Sequence, residues 1–141
     1  TLLRQLDLEG CKKVTWEGLR RLSPLQQLNH FRAPEGCSYR EVEALRNASL
    51  LNLTSLSLCR SPLIAVTSVE HGVCTSLAAF PQLTSLDLSF CTVTENGLQH
   101  IMQLTSLTQL DLNGCPIFHT DMRRIFALLR QTMPNLRDSS G

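Results

Sequence analysis

One nine-residue pattern, L-x-x-L-x-L-x-x-C, occurs three times in the chain and restricts what the chain can fold into. It reads LRQLDLEGC at residues 3–11, LTSLDLSFC at residues 83–91 and LTQLDLNGC at residues 107–115. Its second and third leucines alternate with polar residues, and this period of two is typical of a β-strand. A repeated supersecondary unit cannot bury its leucines alone, so the pattern predicts stacked units that share one continuous core.

Weaker copies of the pattern complete the repeat series. When the first leucine of each strand is the anchor, the units begin at Leu3, Leu28, Leu53, Leu83 and Leu107. The spacings are therefore 25, 25, 30 and 24 residues, and Leu136 is predicted to open a sixth, unfinished unit. In the second unit the cysteine position falls on Gly36, with Cys37 one residue late, and in the third unit it falls on Ser61.

Each strand pattern is followed by apolar residues at helical spacing. In the first unit, Thr15 is a predicted N-cap residue, and Leu19 and Leu22 lie on one helical face. The other predicted helices cover residues 39–48, 63–81 and 120–133, with a further one that buries Leu98 and Ile101. The chain has single-domain length and is 43% hydrophobic, which predicts a sizeable buried core.

The strand pattern is followed by V-T-x-x-G-L, as VTWEGL at residues 14–19 and VTENGL at residues 93–98. This combination resembles the cysteine-containing class of leucine-rich repeat, which is typical of F-box substrate receptors and related intracellular proteins, and ribonuclease-inhibitor-type horseshoes in general. The resemblance implies a right-handed α/β solenoid of about five repeats, with short parallel strands on the concave face and helices on the convex face. It also implies that Cys11, Cys91 and Cys115 pack into the turn after the strand.

The repeats extend over nearly the whole chain. We therefore assign residues 1–137 to one leucine-rich-repeat domain and residues 138–141 to a tail. The chain opens directly on a strand motif, with no polar capping element to shield the core of the first repeat. We therefore expect the domain to be part of a longer array or assembly.

Composition and charge exclude several classes of partner. The formal net charge is +1, so no clustered excess of one sign favours nucleic acid or an acidic membrane surface. No apolar run approaches the roughly 18–20 residues that span a bilayer, and the N-terminal TLLRQLDLEG lacks the layout of a signal peptide. Three of the six cysteines occupy one repeat position, which predicts reduced thiols and an intracellular, cytoplasmic location.

The sequence contains no motif for catalysis, a metal or a cofactor. The four histidines fall in different phases of different units, and there is no zinc-ligand spacing, glycine-rich phosphate loop or G-x-S-x-G elbow. We therefore predict no enzyme activity, no cofactor and no small-molecule substrate. A cysteine-dependent enzyme stays open as an alternative, because a Cys–His pair needs only to meet in space.

Residues that alternate with the inward leucines are predicted to point out of the concave sheet. One column is Asp7, Arg32, Ser57, Asp87 and Asp111. The next column is Glu9, Pro34, Cys59, Ser89 and Asn113, and Glu35, Arg60 and Phe90 lie toward the strand exits. From these we predict a mildly acidic protein-binding surface made of Asp7, Glu9, Arg32, Arg60, Asp87, Phe90, Asp111 and Asn113. The alternative is a solvated polar face that the repeat needs for solubility.

Within this surface, Phe90 is the favoured anchor, because sister units have Gly10 and Gly114 at its position. Asp87 is expected to be free of any structural role, so that Asp87→Ala leaves stability nearly unchanged. Trp16 is expected to pack against helix neighbours rather than to anchor a partner. The convex arginines are expected to form a solubilising outer face; they are Arg20, Arg21, Arg123, Arg124 and Arg130.

These expectations favour a protein-recognition scaffold that uses its concave face and has no catalysis of its own. A rigid concave surface holds its polar columns in place before binding, so that association costs little conformational entropy. One alternative is the substrate-recognition part of an F-box-type ubiquitin ligase, which the resemblance implies. Another is a structural subunit of a larger complex.

Overall fold

Six short parallel strands form one sheet in the order of the chain. The computed structural model describes residues 2–61, 76–93, 95–116 and 122–138. The strands are β1 (Gln5–Asp7), β2 (His30–Arg32), β3 (Ser55–Ser57), β4 (Ser85–Asp87), β5 (Gln109–Asp111) and β6 (Arg137–Asp138). The strand β6 directly follows Leu136, the predicted start of a sixth unit, and includes the first residue of the predicted tail.

The register of the sheet follows the repeat alignment. Leu6, Phe31, Leu56, Leu86 and Leu110 lie opposite one another along the first five strands. The pairing of Phe31 with Leu6 confirms Leu28 as the anchor of the second unit. The residues that follow these central positions also align, so the predicted column from Asp7 to Asp111 runs straight across the sheet.

Helices alternate with the strands and cover the other side of the sheet. They are α1 (Trp16–Leu19), which continues as a 3₁₀ turn (Arg20–Leu22), α2 (Tyr39–Asn47), α3 (Glu95–Ile101) and α4 (Met122–Thr132). The predicted α/β leucine-rich-repeat solenoid is therefore confirmed. The predicted helix at 63–81 falls mostly on residues 62–75, outside the described residues, and its described end buries Leu77 and Phe80.

One continuous core lies between the sheet and the helices. Leu28, Leu53 and Leu83, the anchors of the second to fourth units, are fully buried, and so are the helix residues Val42 and Leu45. Each fully buried leucine contributes roughly 1.5–3 kcal/mol relative to an exposed one. Because neighbouring units share these contacts, the stability of one unit depends on the next.

The repeat cysteines pack against the preceding unit wherever such a unit is present. The thiol of Cys91 donates to the carbonyl of Leu58 at 3.0 Å, and that of Cys115 donates to the carbonyl of Leu88 at 3.0 Å. The expectation for Cys11 is wrong, because its side chain is exposed. Leu58 and Leu88 follow the strand of the unit before Cys91 and Cys115, respectively, whereas Cys11 follows β1, the first strand of this sheet.

The second and third units keep the same turn despite their altered sequences. Gly36 has a φ of +78°, and the extra residue places Cys37 in the buried position, where its thiol donates to the carbonyl of Pro34 at 2.9 Å. Ser61 fills that position in the third unit and is fully buried. The buried slot after the strand therefore accepts either a thiol or a hydroxyl.

The N-caps of the first two helices differ. Thr15 is the N-cap residue of α1, as predicted, but its hydroxyl makes no capping hydrogen bond. At α2, Ser38 Oγ accepts from the amide of Arg40 at 3.2 Å, and Glu41 Oε2 accepts from the amide of Ser38 at 2.7 Å. This reciprocal pair is a capping box, which satisfies amides that the first helical turn leaves unpaired.

Candidate protein-binding surface

One residue in the turn after each of the first five strands has a positive φ. These residues are Gly10, Gly36, Arg60, Phe90 and Gly114, with φ values of +75°, +78°, +55°, +59° and +68°. The left-handed conformation costs a residue with a Cβ roughly 1–2 kcal/mol, whereas glycine adopts it freely. Two adjacent units therefore carry a large side chain at a position whose backbone favours glycine.

Backbone hydrogen bonds between the turns of neighbouring units hold this conformation in place. The amide of Arg60 donates to the carbonyl of Ser89 at 2.9 Å, and the amide of Phe90 donates to the carbonyl of Asn113 at 2.8 Å. These bonds continue the parallel pairing of the sheet beyond the strands. Because each turn is tied to the next unit, the direction in which its side chain leaves the backbone is fixed by the fold.

The side chains at these turns form an exposed row, here called the exit-turn ridge, which consists of Glu35, Arg60 and Phe90. The guanidinium carbon of Arg60 lies 5.9 Å from the ring centroid of Phe90, within the range of a cation–π contact. Arg60 also lies 3.4 Å from Glu35 Oε1. Phe90 is nevertheless 56% exposed. The ridge thus presents an aromatic face and a charged group side by side.

At the start of the concave face, acidic side chains surround a single arginine. Arg32 Nη1 lies 2.7 Å from Glu9 Oε2 and 3.5 Å from Asp7 Oδ2. All three side chains are substantially exposed, so each pair contributes only about 0–1 kcal/mol. The two carboxylates and the guanidinium group together carry a formal charge of −1, and both carboxylates lie in ion pairs.

Asp87 has a structural role that the sequence did not reveal. Its Oδ1 accepts hydrogen bonds from the amide of Ser89 at 2.9 Å and from its hydroxyl at 2.6 Å. Its Oδ2 accepts from the hydroxyl of Ser57 at 2.8 Å. The expectation that Asp87 is free is therefore wrong. Asp7 and Asp111 likewise accept from the amide two residues ahead, at 2.8 Å and 2.9 Å.

The acidic side chains of the fourth and fifth units differ from those of the first unit in their ion pairing. Among the described residues, neither Asp87 nor Asp111 forms an ion pair, in contrast to Asp7 and Glu9. The two carboxylates occupy paired positions on adjacent strands, next to Phe90 and Asn113 in the following turns. An open depression of about 350 Å³ lies over this part of the sheet, and Arg137 of β6 lines it together with the two aspartates.

The structure adds a column that the sequence reasoning missed. It lies two residues before the aspartate column and consists of Gln5, His30, Ser55, Ser85 and Gln109. Because side chains alternate along a strand, these residues share the face of Asp7 and Glu9. The same period of two that defined the other columns would have found this one.

The comparisons with known proteins agree with this architecture. A family model described as leucine-rich repeat matches residues 81–102 and 103–117, which contain β4, β5 and their exit turns. The chain has the leucine-rich-repeat fold, and its fourth and fifth units match the sequence model of the family. A search by sequence among curated proteins finds no match.

Two solved structures share this fold. An internalin of Listeria monocytogenes superposes with a TM-score of 0.58 at 21% identity, over 84% of this chain and 30% of the internalin chain. The Chaetomium Mex67:Mtr2 structure superposes with a TM-score of 0.52 at 20% identity, over 94% of this chain and 76% of that chain. At such identities the likeness concerns the fold alone.

The buried and half-buried thiols after the strands are poor nucleophiles. Burial raises the pKa of Cys37 and of Cys91 from 9.0 to about 12, and it also raises the pKa of Cys115. These thiols are therefore protonated near neutral pH, whereas the thiolate is the reactive form. Within the described ranges, no three metal-ligating side chains come together. In the same part of the chain, no helix has the length and apolar character needed to cross a bilayer.

Proposed function

We propose that this chain is a protein-recognition scaffold that binds a protein partner through its concave face and exit-turn ridge, without catalysis of its own. The proposal rests on one observation. Arg60 and Phe90 occupy left-handed turn positions that three sister units fill with glycine, and both side chains remain exposed. A strained backbone at an exposed position is a signal of function rather than of folding.

The energetics of the two residues support this interpretation. Each left-handed residue costs roughly 1–2 kcal/mol. An exposed cation–π contact stabilises the fold by about 0.5–1 kcal/mol, and a surface ion pair such as Arg60–Glu35 stabilises it by about 0–1 kcal/mol. Folding alone therefore gains little from these side chains relative to glycine. Arginine and aromatic residues are, however, among the types that dominate binding energy at protein interfaces.

The chemistry of the surface defines the partner that it fits. Phe90 offers an exposed aromatic face for an apolar or aromatic side chain. Asp87 and Asp111 provide negative charge that no described residue neutralises by an ion pair. A partner segment that presents an apolar group beside a lysine or arginine would complement both features. Because the polar columns are held by the sheet, little conformational entropy is lost on binding.

Glycine substitutions at the ridge separate binding from folding. Arg60→Gly and Phe90→Gly introduce the residue that the sister units carry, so unfolding free energies should stay within about 1 kcal/mol of the unaltered chain. We expect both variants to lose the same set of proteins in affinity capture with quantitative mass spectrometry. For a purified partner, calorimetric titration should show affinity at least tenfold weaker, as for the loss of a binding hot spot.

Leu51→Ser is the matched control, because Leu51 is also a large exposed apolar residue but lies away from the ridge. This variant should retain every partner. If Arg60→Gly and Phe90→Gly retain the partners as well, the ridge is not the binding site and the proposal fails.

A second candidate role, as a structural subunit of a larger complex, is favoured by the exposed apolar residues of the first unit. Leu2 is 87% exposed and Leu3 is 41% exposed, next to the free edge of β1. A subunit interface at this end would be lost in a Leu2→Ser, Leu3→Ser variant and kept in the ridge variants. The further role of substrate recognition in an F-box-type ubiquitin ligase rests on the sequence resemblance alone.

We also propose an intracellular, cytoplasmic location. Its support is that the thiols of Cys37, Cys91 and Cys115 donate hydrogen bonds to backbone carbonyls. Only the reduced form of cysteine can donate such a bond, and reducing compartments maintain that form. Imaging of the tagged full-length protein would test the location directly.

A further inference from the structure

A groove on the convex side of the solenoid lies between the first two helices. Its walls come from α1 with its 3₁₀ turn and from α2, and its volume is about 450 Å³. The residues that line it include Trp16, Arg20, Tyr39, Arg40, Glu43 and Asn47. This surface lies on the face opposite to the concave sheet and shares no residue with the exit-turn ridge.

We propose that this convex groove binds an acidic segment of a partner protein, with a carboxylate between Arg20 and Arg40 and a neighbouring aromatic side chain against Trp16 and Tyr39. The site is independent of the concave surface. It gives the domain a second binding face, so that one chain could hold two different proteins.

The charges around the groove favour an acidic occupant. Among the described residues, neither Arg20 nor Arg40 forms an ion pair. The glutamate in the wall, Glu43, already lies 3.6 Å from Arg46. Glu41 is held by the capping box of α2. The hydroxyl of Tyr39 and the nearby Glu17 raise the pKa of the Arg40 guanidinium group, but among the described residues no carboxylate lies within ion-pair distance of Arg20 or Arg40.

The aromatic walls add apolar area beside these charges. Trp16 is half-buried against the core, as expected, but one part of its ring lines the groove. The guanidinium carbon of Arg20 lies 5.9 Å from the centroid of that ring. Tyr39 is 39% exposed, and its hydroxyl interacts with Arg40. Tryptophan, tyrosine and arginine are the residue types most enriched at binding hot spots.

The groove fits a short protein segment better than a nucleic acid. Its volume lies within the roughly 300–1,000 Å³ of clefts that enclose a few side chains. Nucleic-acid binding requires a stripe of basic residues along a backbone of many phosphates, and the net charge of the chain is only +1. Two arginines that flank aromatic rings match one or two carboxylates of a peptide.

The position of Trp16 provides a direct readout, because it is the only tryptophan of the chain. The probe is the blocked peptide DEFDE, added to the whole chain at low salt while the tryptophan emission is recorded. We expect a saturable change in emission below about 1 mM peptide. The matched peptides NQFNQ and KKFKK should bind at least fivefold more weakly, and added salt should weaken the binding of DEFDE.

Variants of the groove identify the residues responsible. The double variant Arg20→Glu, Arg40→Glu should weaken the binding of DEFDE at least tenfold. Arg21→Glu is the control, because Arg21 is the exposed neighbour of Arg20 and does not line the groove. The ridge variants Arg60→Gly and Phe90→Gly should bind the peptide normally, which separates this inference from the proposed function. Melting curves verify that each variant is folded.

Four results would overturn the inference. They are no saturable response to DEFDE, equal affinity for NQFNQ, an unchanged affinity in the folded double variant, and tighter binding of an eight-residue oligothymidylate than of the peptide. The last result would assign the groove to nucleic acid instead.

Discussion

The ring of Phe90 lies directly over the α-carbon of Gly114, the residue that holds the equivalent turn position in the next unit. A methyl group added to Gly114 would lie 2.5 Å from Cδ1 and Cε1 of the Phe90 ring. Gly114 therefore satisfies two demands, a φ of +68° and close contact with an aromatic ring. Gly10 has a φ of +75° but no atom within 4 Å of such a methyl group, so it satisfies the first demand alone.

This difference predicts that Gly114→Ala destabilises the fold more than Gly10→Ala does. Gly10→Ala should cost roughly 1–2 kcal/mol, because alanine resists the left-handed conformation. Gly114→Ala should cost about 1 kcal/mol more, since the Phe90 ring must move and give up its contact with Arg60. Urea unfolding followed by circular dichroism measures both values.

The combination of Gly114→Ala with Phe90→Gly isolates the ring contact. The second substitution removes the ring, so the cost of Gly114→Ala should fall to that of Gly10→Ala. Equal costs for the two single alanine variants would show that the ring moves away without loss, and the packing of Phe90 on Gly114 would then have no energetic weight.

A second prediction concerns two neighbours on β4 with opposite orientations. Leu86 is buried in the core, and Leu86→Ala should cost about 2–5 kcal/mol. Asp87→Ala should lower the unfolding free energy by about 1–2 kcal/mol. The half-buried hydroxyls of Ser57 and Ser89 and the amide of Ser89 would lose their hydrogen-bond acceptor. The control is Asp111→Ala. Asp111 accepts one described hydrogen bond, so this substitution should lower the unfolding free energy less than Asp87→Ala does. Chemical denaturation of the three variants decides the order.

The N-caps supply a third prediction. Ser38→Ala removes the capping box of α2 and should lower the unfolding free energy by about 1 kcal/mol. Thr15→Ala at the equivalent position of α1 should have little effect, because that hydroxyl makes no capping hydrogen bond. Thermal unfolding of the two variants measures the difference. A larger loss for Thr15→Ala would contradict the cap geometry of α1.

The repeat pattern was sufficient to predict the sheet, its order and its register, because the alternation of Leu86 and Leu88 with polar residues is a local property. It also identified the position of Phe90 as unusual, since glycine stands there in sister units. The left-handed backbone of Arg60 and Phe90 was not predicted, because three of the five residues at that position in the repeat alignment, Glu35, Arg60 and Phe90, have a side chain.

The predictions from sequence were wrong where the contact partner of a residue belongs to another repeat unit. Asp87 is held partly by Ser57, which lies 30 residues earlier in the chain. Cys11 matches its sister cysteines in sequence, but its side chain is exposed beside the first strand of this sheet, whereas Cys91 and Cys115 donate to carbonyls of the neighbouring unit. The convex groove also depends on two helices from different units, so the pattern within a single unit did not reveal it.

The buried thiols give the last prediction, a loss of stability at alkaline pH. Burial raises the pKa of Cys91 in the folded chain from 9.0 to about 12. A raised pKa means that the stabilising contribution is complete below pH 9 and is lost as the pH rises from about 9 toward 12, because only the unfolded chain releases the proton readily. At pH 10.5 the loss should be about 1–2 kcal/mol for this thiol.

The measurement compares the change in unfolding free energy between pH 7.5 and pH 10.5 in the unaltered chain and in two variants. Cys91→Ala should show the smaller fall with pH, because it lacks the buried thiol, even though its stability at pH 7.5 is lower. Cys11→Ala should match the unaltered chain, since Cys11 is exposed. All three proteins contain the same lysines and the same tyrosine, so the effect of these residues cancels in the comparison. An identical fall in Cys91→Ala would mean that the Cys91 thiol ionises as easily in the folded as in the unfolded chain. Burial would then not raise the pKa of this thiol.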